Sequence, residues 1–204
     1  MKPSGQKSLP AIGFLTVTRD AEHGLFGGYL VLNHLGRPME FHCTAPVRPN
    51  RAQEILYGPT LEPYLYGERI GQTLLRKASL SPVLAVTDVE PVMAARVFVS
   101  VPLALVARRP ALAEAGSAAL ADVGSPTLLG QRLRRDPPHP APRARTIRLT
   151  SLDACGGCLA VAADYPGDVE CVRRCWPLFA EQIDLEEPFG RIRDAIEEAR
   201  NGVR

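Results

Sequence analysis

The feature that most restricts how this chain can fold is the run DACGGCLAVAADYPGDVECVRRCWP at 153–177, which holds four of its five cysteines in two close pairs. Cys155 and Cys158 are separated by two glycines, and Cys171 and Cys175 stand four apart. A CGGC segment turns tightly enough for both sulfurs to converge on one ion. On a helix, a pair four apart presents both sulfurs on one face, about one turn from each other. Four thiolates meeting at one point would fill the tetrahedral shell of zinc and fix the path of the whole stretch.

The rest of the chain is long enough to have a core of its own. With 204 residues, 46% hydrophobic and 23% charged, it reads as one globular domain, or one domain plus a small appendage. No run reaches the roughly 20 apolar residues needed to cross a bilayer. The opening MKPSGQKSLPAIGF lacks the apolar core of a signal peptide. The cytoplasm is therefore the expected location, and an odd number of cysteines there does not suggest a disulfide framework.

The net charge of +2 conceals a division along the chain. Residues 1–107 carry ten Lys/Arg against eight Asp/Glu, 108–148 carry eight against three, and 149–204 carry six against eleven. These boundaries are also the expected domain boundaries. The middle segment contains RRDPPHPAPRAR, too dense in proline for a regular element, and reads as a basic linker. Arg132, Arg134, Arg135, Arg143 and Arg145 belong to it and, with Arg148, face only Asp136 between 131 and 150. They are either a solvated connector or the contact for an anionic partner, nucleic acid or acidic protein.

Residues 1–107 read as α+β. Apolar runs at 12–17 and 25–33 and an alternating run at 39–45 predict an antiparallel meander. In the third strand Met39, Phe41 and Cys43 face the core and Glu40, His42 and Thr44 face away. Gly27-Gly28 reads as a bulge in preference to a close backbone approach. Asn50 is an N-cap for RAQEILY, Gly58-Pro59 ends that helix, and Thr60 caps a longer one with Leu61, Leu65, Ile70 and Leu74 on one face. Tyr57, Tyr64 and Tyr66 concentrate here, and packing explains them better than a ligand cage. Apolar runs at 83–89 and 96–106, the second interrupted by Pro102, complete an antiparallel sheet with helices packed on one face.

Candidate catalytic groups in this region are His23, His34, Glu40, His42, Cys43 and Asp88. Cys43 and His42 point to opposite faces of one strand, so they do not make a nucleophile–base pair, and Cys43 reads as a small core residue. His23 and His34 lie in turns beside the meander, where they could approach each other. There is no GxSxG, no phosphate-cradling glycine loop and no HExxH.

Residues 149–204 read as a small module ending in an amphipathic helix, with Phe189, Ile192, Ile196 and Ala199 at helical spacing. The order of CGGC knuckle, a hairpin around PGD and a helix bearing Cys171 and Cys175 resembles a treble-clef zinc finger or zinc ribbon over 153–179. The three residues between Cys171 and Cys175, where those modules generally have two, depart from that pattern. The resemblance implies a structural zinc held by Cys155, Cys158, Cys171 and Cys175. An iron–sulfur cluster, a redox CxxC and unligated thiols are the alternatives. The expected function is a zinc-stabilised binding or adaptor protein for a protein or nucleic-acid partner, with no membrane contact. An iron–sulfur redox protein, or an enzyme using the first domain, is the alternative.

Overall fold

The computed structural model describes residues 10–107, 147–152 and 158–201. Its centre is a hairpin of β1 (Ala11–Asp20) and β2 (Gly24–Asn33), paired from Ala11 opposite Asn33 to Asp20 opposite Gly24. The sequences AIGFLTVTRD and GLFGGYLVLN are apolar without strict alternation, which marks strands covered on both faces. Both are buried almost from end to end.

β3 (Pro38–Cys43) lies antiparallel to β2, while β4 (Leu84–Thr87) lies parallel to β1 on its other side. β5 (Leu103–Ala107) is parallel to β4, and β6 (Leu149–Leu152) and β7 (Cys158–Ala162) close the far edge antiparallel. The strand order is β3-β2-β1-β4-β5-β7-β6. The fold is mixed α and β as expected, but the sheet is mixed and not antiparallel. The reason is the return of the chain after β3, which crosses the sheet and re-enters beside β1 in the same direction. Such a connection requires a crossover.

Two crossovers lie on one face. The first contains α1 (Arg51–Tyr57), a π-helix over Pro63–Gly71 and α2 (Gln72–Lys77). The second is a 3₁₀ run over Glu90–Phe98, so the expected strand at 96–106 begins only at Leu103. On the opposite face pack α3 (Pro166–Cys175) and α4 (Glu187–Asn201). Helices therefore cover both faces, not one. Leu152, Leu159 and Val161 share one core with Ile12, Phe14 and Leu84, so residues from both sides of the basic segment build a single sheet.

Local signals held where one interaction determined them. Asn50 caps α1 in a reciprocal capping box, accepting from Gln53 N at 2.8 Å while Gln53 Oε1 accepts from Asn50 N at 3.0 Å. The Phe189, Ile192 and Ile196 stripe of α4 is buried against the sheet. Thr60 does not cap a helix, because its hydroxyl donates back to Tyr57 O at 2.8 Å. The PGD segment starts α3 and makes no hairpin.

β3 reverses its expected orientation. Met39, Phe41 and Cys43 are exposed, while Glu40 and His42 are half-buried. Glu40 explains this, since its carboxylate accepts from Ser79 N at 2.8 Å, Leu80 N at 2.9 Å and the His42 ring at 2.6 Å. Those bonds fasten the edge strand to the chain leaving α2. The Ser79 and Leu80 amides and the His42 ring hold the carboxyl down at about 2.

Gly27 and Gly28 form no bulge, as the β1–β2 register runs unbroken through both. They serve close approach. A Cβ at Gly27 would lie 2.1 Å from Ile70 Cγ2 on one face, and one at Gly28 would lie 2.3 Å from Ile192 Cγ2 on the other. Replacing either by valine forces a whole helix away from the sheet. Gly27→Val and Gly28→Val should each lower stability by about 1–3 kcal/mol in urea unfolding. Wild-type stability in both would show that the helices are not seated through these positions.

Candidate functional site

An apolar cavity of about 540 Å³ opens where the π-helix, the 3₁₀ crossover and the chain flanking β6 and β7 meet. Its volume lies within the range of small-molecule sites. Tyr57, Pro63, Tyr64 and Glu68 line one side, Met93, Ala94, Arg96 and Phe98 another, and Ile147, Ala162 and Tyr165 a third.

Close backbone packing positions these walls. A Cβ at Gly67 would fall 2.6 Å from Ala94 Cβ, so the π-helix presses against the crossover through a glycine–alanine contact. Leu65, Tyr66 and Ile70 are buried under the sheet, leaving Tyr57 and Tyr64 at the cavity. Their rings stack with centroids 4.2 Å apart and planes at 25°. Tyr66 packs in the core as its spacing indicated. Tyr64 packs against the same core from its rim, and Tyr57 stacks on it, so both are half-buried where the cavity opens.

Arg96 closes the floor. Its guanidinium donates to Asp168 twice, Nε to Oδ2 at 2.6 Å and Nη2 to Oδ1 at 2.9 Å, and Nη1 donates to Val99 O at 2.7 Å. It also lies 4.1 Å from the centre of the Tyr165 ring. The Asp168 bond raises the pKa of Arg96. Arg96, Phe98, Glu68 and Tyr165 were not singled out in the sequence. They come from three separate stretches of the chain, which only the tertiary fold brings together.

The cysteines divide differently from expectation. Cys171 and Cys175 do share one face of α3, with Sγ atoms 3.7 Å apart. That matches two thiolates on one zinc, about 3.8 Å apart for bonds of about 2.3 Å. Both are buried, however, and Cys171 Sγ donates to Val83 O at 3.3 Å. Burial first, then the Cys175 contact, push the Cys171 thiol up to about 11.

Strand registers place Cys158 elsewhere. Ala85 is level with Leu103, so Val83 is level with Val101, whereas Cys158 pairs with Ala107 at the other end of β5. Six residues separate those levels, about 20 Å at 3.3 Å per residue. The described backbone therefore does not bring Cys158 to the α3 pair. Cys155 lies outside the described residues, as do Arg132, Arg134, Arg135, Arg143 and Arg145. Among the described residues no group of three or more His, Cys, Asp or Glu is arranged to hold a metal.

The remaining candidates also separate. His23 and His34 flank opposite ends of β2, a strand of ten residues, and do not approach. Cys43 is an exposed thiol on the edge strand, not a core residue. His23 and Cys43 line a common cavity of about 490 Å³ beside α4. They sit at its two ends, since Cys43 pairs with Gly28, five positions along β2 from His23, about 16 Å. Asp20 instead holds His23, whose Nδ1 is 2.9 Å away, and Arg200 at 2.8 Å. Asp88 is ion-paired with Arg193. No protein-family model matches the chain, and no curated protein is significantly similar to it.

Alkylation of the native protein, mapped by peptide mass, should modify Cys43 and leave Cys171 and Cys175 protected until unfolding. A chelator should not change that protection. Release of the α3 pair by chelation would show that a metal holds them after all.

Proposed function

We propose that this chain is a binding protein whose site is the cavity between the π-helix and the 3₁₀ crossover. Its ligand is a small, largely apolar molecule with a planar ring. The observation that carries this reading is the stacked Tyr57–Tyr64 pair beside Tyr165 and Phe98 in a cavity of about 540 Å³. Aromatic walls offer a ring large apolar area and defined stacking geometry. A π-helical run is, moreover, a backbone irregularity frequent at functional sites. Binding remains the functional class, but the cavity carries it. The zinc and iron–sulfur readings both need four thiolates at one point, and neither enters the proposal.

Indole is a suitable probe. It should bind wild-type protein in equilibrium dialysis, and Tyr64→Ala should weaken that binding about tenfold, the scale of one lost aromatic stacking contact. Tyr64→Leu, which keeps most of the apolar bulk, should retain the fold and still lose affinity. Unchanged indole binding in both variants would remove the cavity from consideration.

A second reading concerns the basic segment. Its arginines outnumber acids by eight to three over 108–148, a composition suited to an anionic partner, for which nucleic acid is the direct test. Free thiols at Cys43, Cys171 and Cys175 suit the cytoplasm. Among the described residues no helix is long and apolar enough to cross a membrane. Affinity for single-stranded nucleic acid should fall steeply with salt. Replacing Arg132, Arg134 and Arg135 by alanine should flatten the log–log slope by about 0.7 per lost phosphate contact. Absence of binding at low salt would leave an acidic protein as the partner.

A further inference from the structure

Resting on the cavity reading above, we propose that the ligand of this site is an organic monocation, a quaternary or protonated amine attached to a compact apolar body. Three features of the cavity combine to select that charge.

The first is that its aromatic wall already holds a cation. The Arg96 guanidinium sits 4.1 Å from the centre of the Tyr165 ring, a distance at which the ring quadrupole attracts positive charge. The stacked rings of Tyr57 and Tyr64 add further aromatic surface to the same cavity.

The second is that the charge of Arg96 is already balanced. Both nitrogens that face Asp168 are engaged, a third group donates to Val99 O, and the Asp168 carboxylate balances the charge. Arg96 is the one basic side chain among the described lining residues. An anionic ligand would therefore have to break a buried bidentate ion pair, a loss that leaves a buried charge uncompensated.

The third is an unanswered negative charge. Of the two carboxylates in the lining, Asp164 is ion-paired with Arg148 at 3.7 Å, whereas Glu68, half-buried on the π-helix, is engaged by no ion pair among the described residues. A cationic ligand supplies that missing partner, with aromatic rings stabilising the rest of its charged head. A neutral ring would fill the same volume but leave Glu68 as it is.

The test uses the full chain and choline, with dimethylbutanol, in which a tert-butyl group replaces the trimethylammonium, as its uncharged analogue. Calorimetric titration should show choline bound at least about tenfold more tightly than the analogue, the scale of a partly desolvated cation–π contact reinforced by a carboxylate. Glu68→Gln should reduce that preference at least about threefold while leaving the far-UV circular dichroism and the urea midpoint of the protein unchanged. Equal binding of choline and its analogue, or a preference unaltered by Glu68→Gln, would overturn the charge assignment. So would indole binding without choline binding, and in each of these cases the cavity reading stands. Failure of all three probes to bind would remove both. Unchanged circular dichroism and urea midpoint show that the Glu68→Gln variant is folded, so a lost preference reports the carboxylate.

Discussion

The ion pair between Arg96 and Asp168 is the junction on which the candidate site depends. Arg96 belongs to the crossover on one face of the sheet and Asp168 to the first turn of α3 on the other, so their two hydrogen bonds reach round the end of the strands. Asp168 also lies 3.5 Å from Leu103 N at the start of β5. With Arg96 side-chain exposure at 13% and Asp168 at 3%, the pair is poorly screened. Removing one partner alone would leave a buried charge, whereas removing both need not be destabilising. What the pair specifies is position. It sets Tyr165, the crossover and the start of β5 at fixed distances, and those elements are the floor of the cavity.

Around that junction the elements approach more closely than ordinary side chains permit. Gly27 and Gly28 admit Ile70 and Ile192 from opposite faces, and Gly67 admits Ala94. These contacts explain a sheet buried on both sides in its centre. They also explain why β2, which reads as one strand of a one-sided meander, is the middle of a three-layer arrangement. Glycine in a strand gives up side-chain packing of its own, and here the adjoining helices recover it.

Features set by neighbouring residues were legible in the sequence. The capping box at Asn50, the apolar stripe of α4 and the paired strands β1 and β2 all follow from local pattern. The rest required tertiary information. The face of β3 was misread because Glu40 finds two amides and a histidine ring some distance away in sequence or across the strand, overriding the alternation of Met39, Phe41 and Cys43. The strand expected at 96–106 starts too early because RVFVSV has strand composition, and only the parallel placement of β4 and β5 demands that residues 96–98 end the connection between them. The cysteine spacing was real evidence of proximity for Cys171 and Cys175. It could not reveal that Cys158 begins β7 level with Ala107, at the opposite end of β5 from the level of Val83, where Cys171 is bonded.

The two ends of the sheet consequently have different chemistry. In open sheets of parallel strands, ligands usually lie beyond the carboxyl ends. Here that end of β4 and β5 is occupied by the Asp88–Arg193 pair and by the start of β7 at Cys158. The aromatic cavity lies at the amino end of β5, where the chain enters from the crossover and where Ile147 and Tyr165 flank the outer hairpin. That inversion follows from the connections. Both crossovers cover one face, and the second is a short 3₁₀ run without the length of a helix, so it cannot cover the sheet to its edge. The uncovered corner is walled by whatever the π-helix and the β7–α3 turn present there, which is aromatic rings, the Arg96 guanidinium bonded to Asp168, and the carboxylates of Glu68 and Asp164.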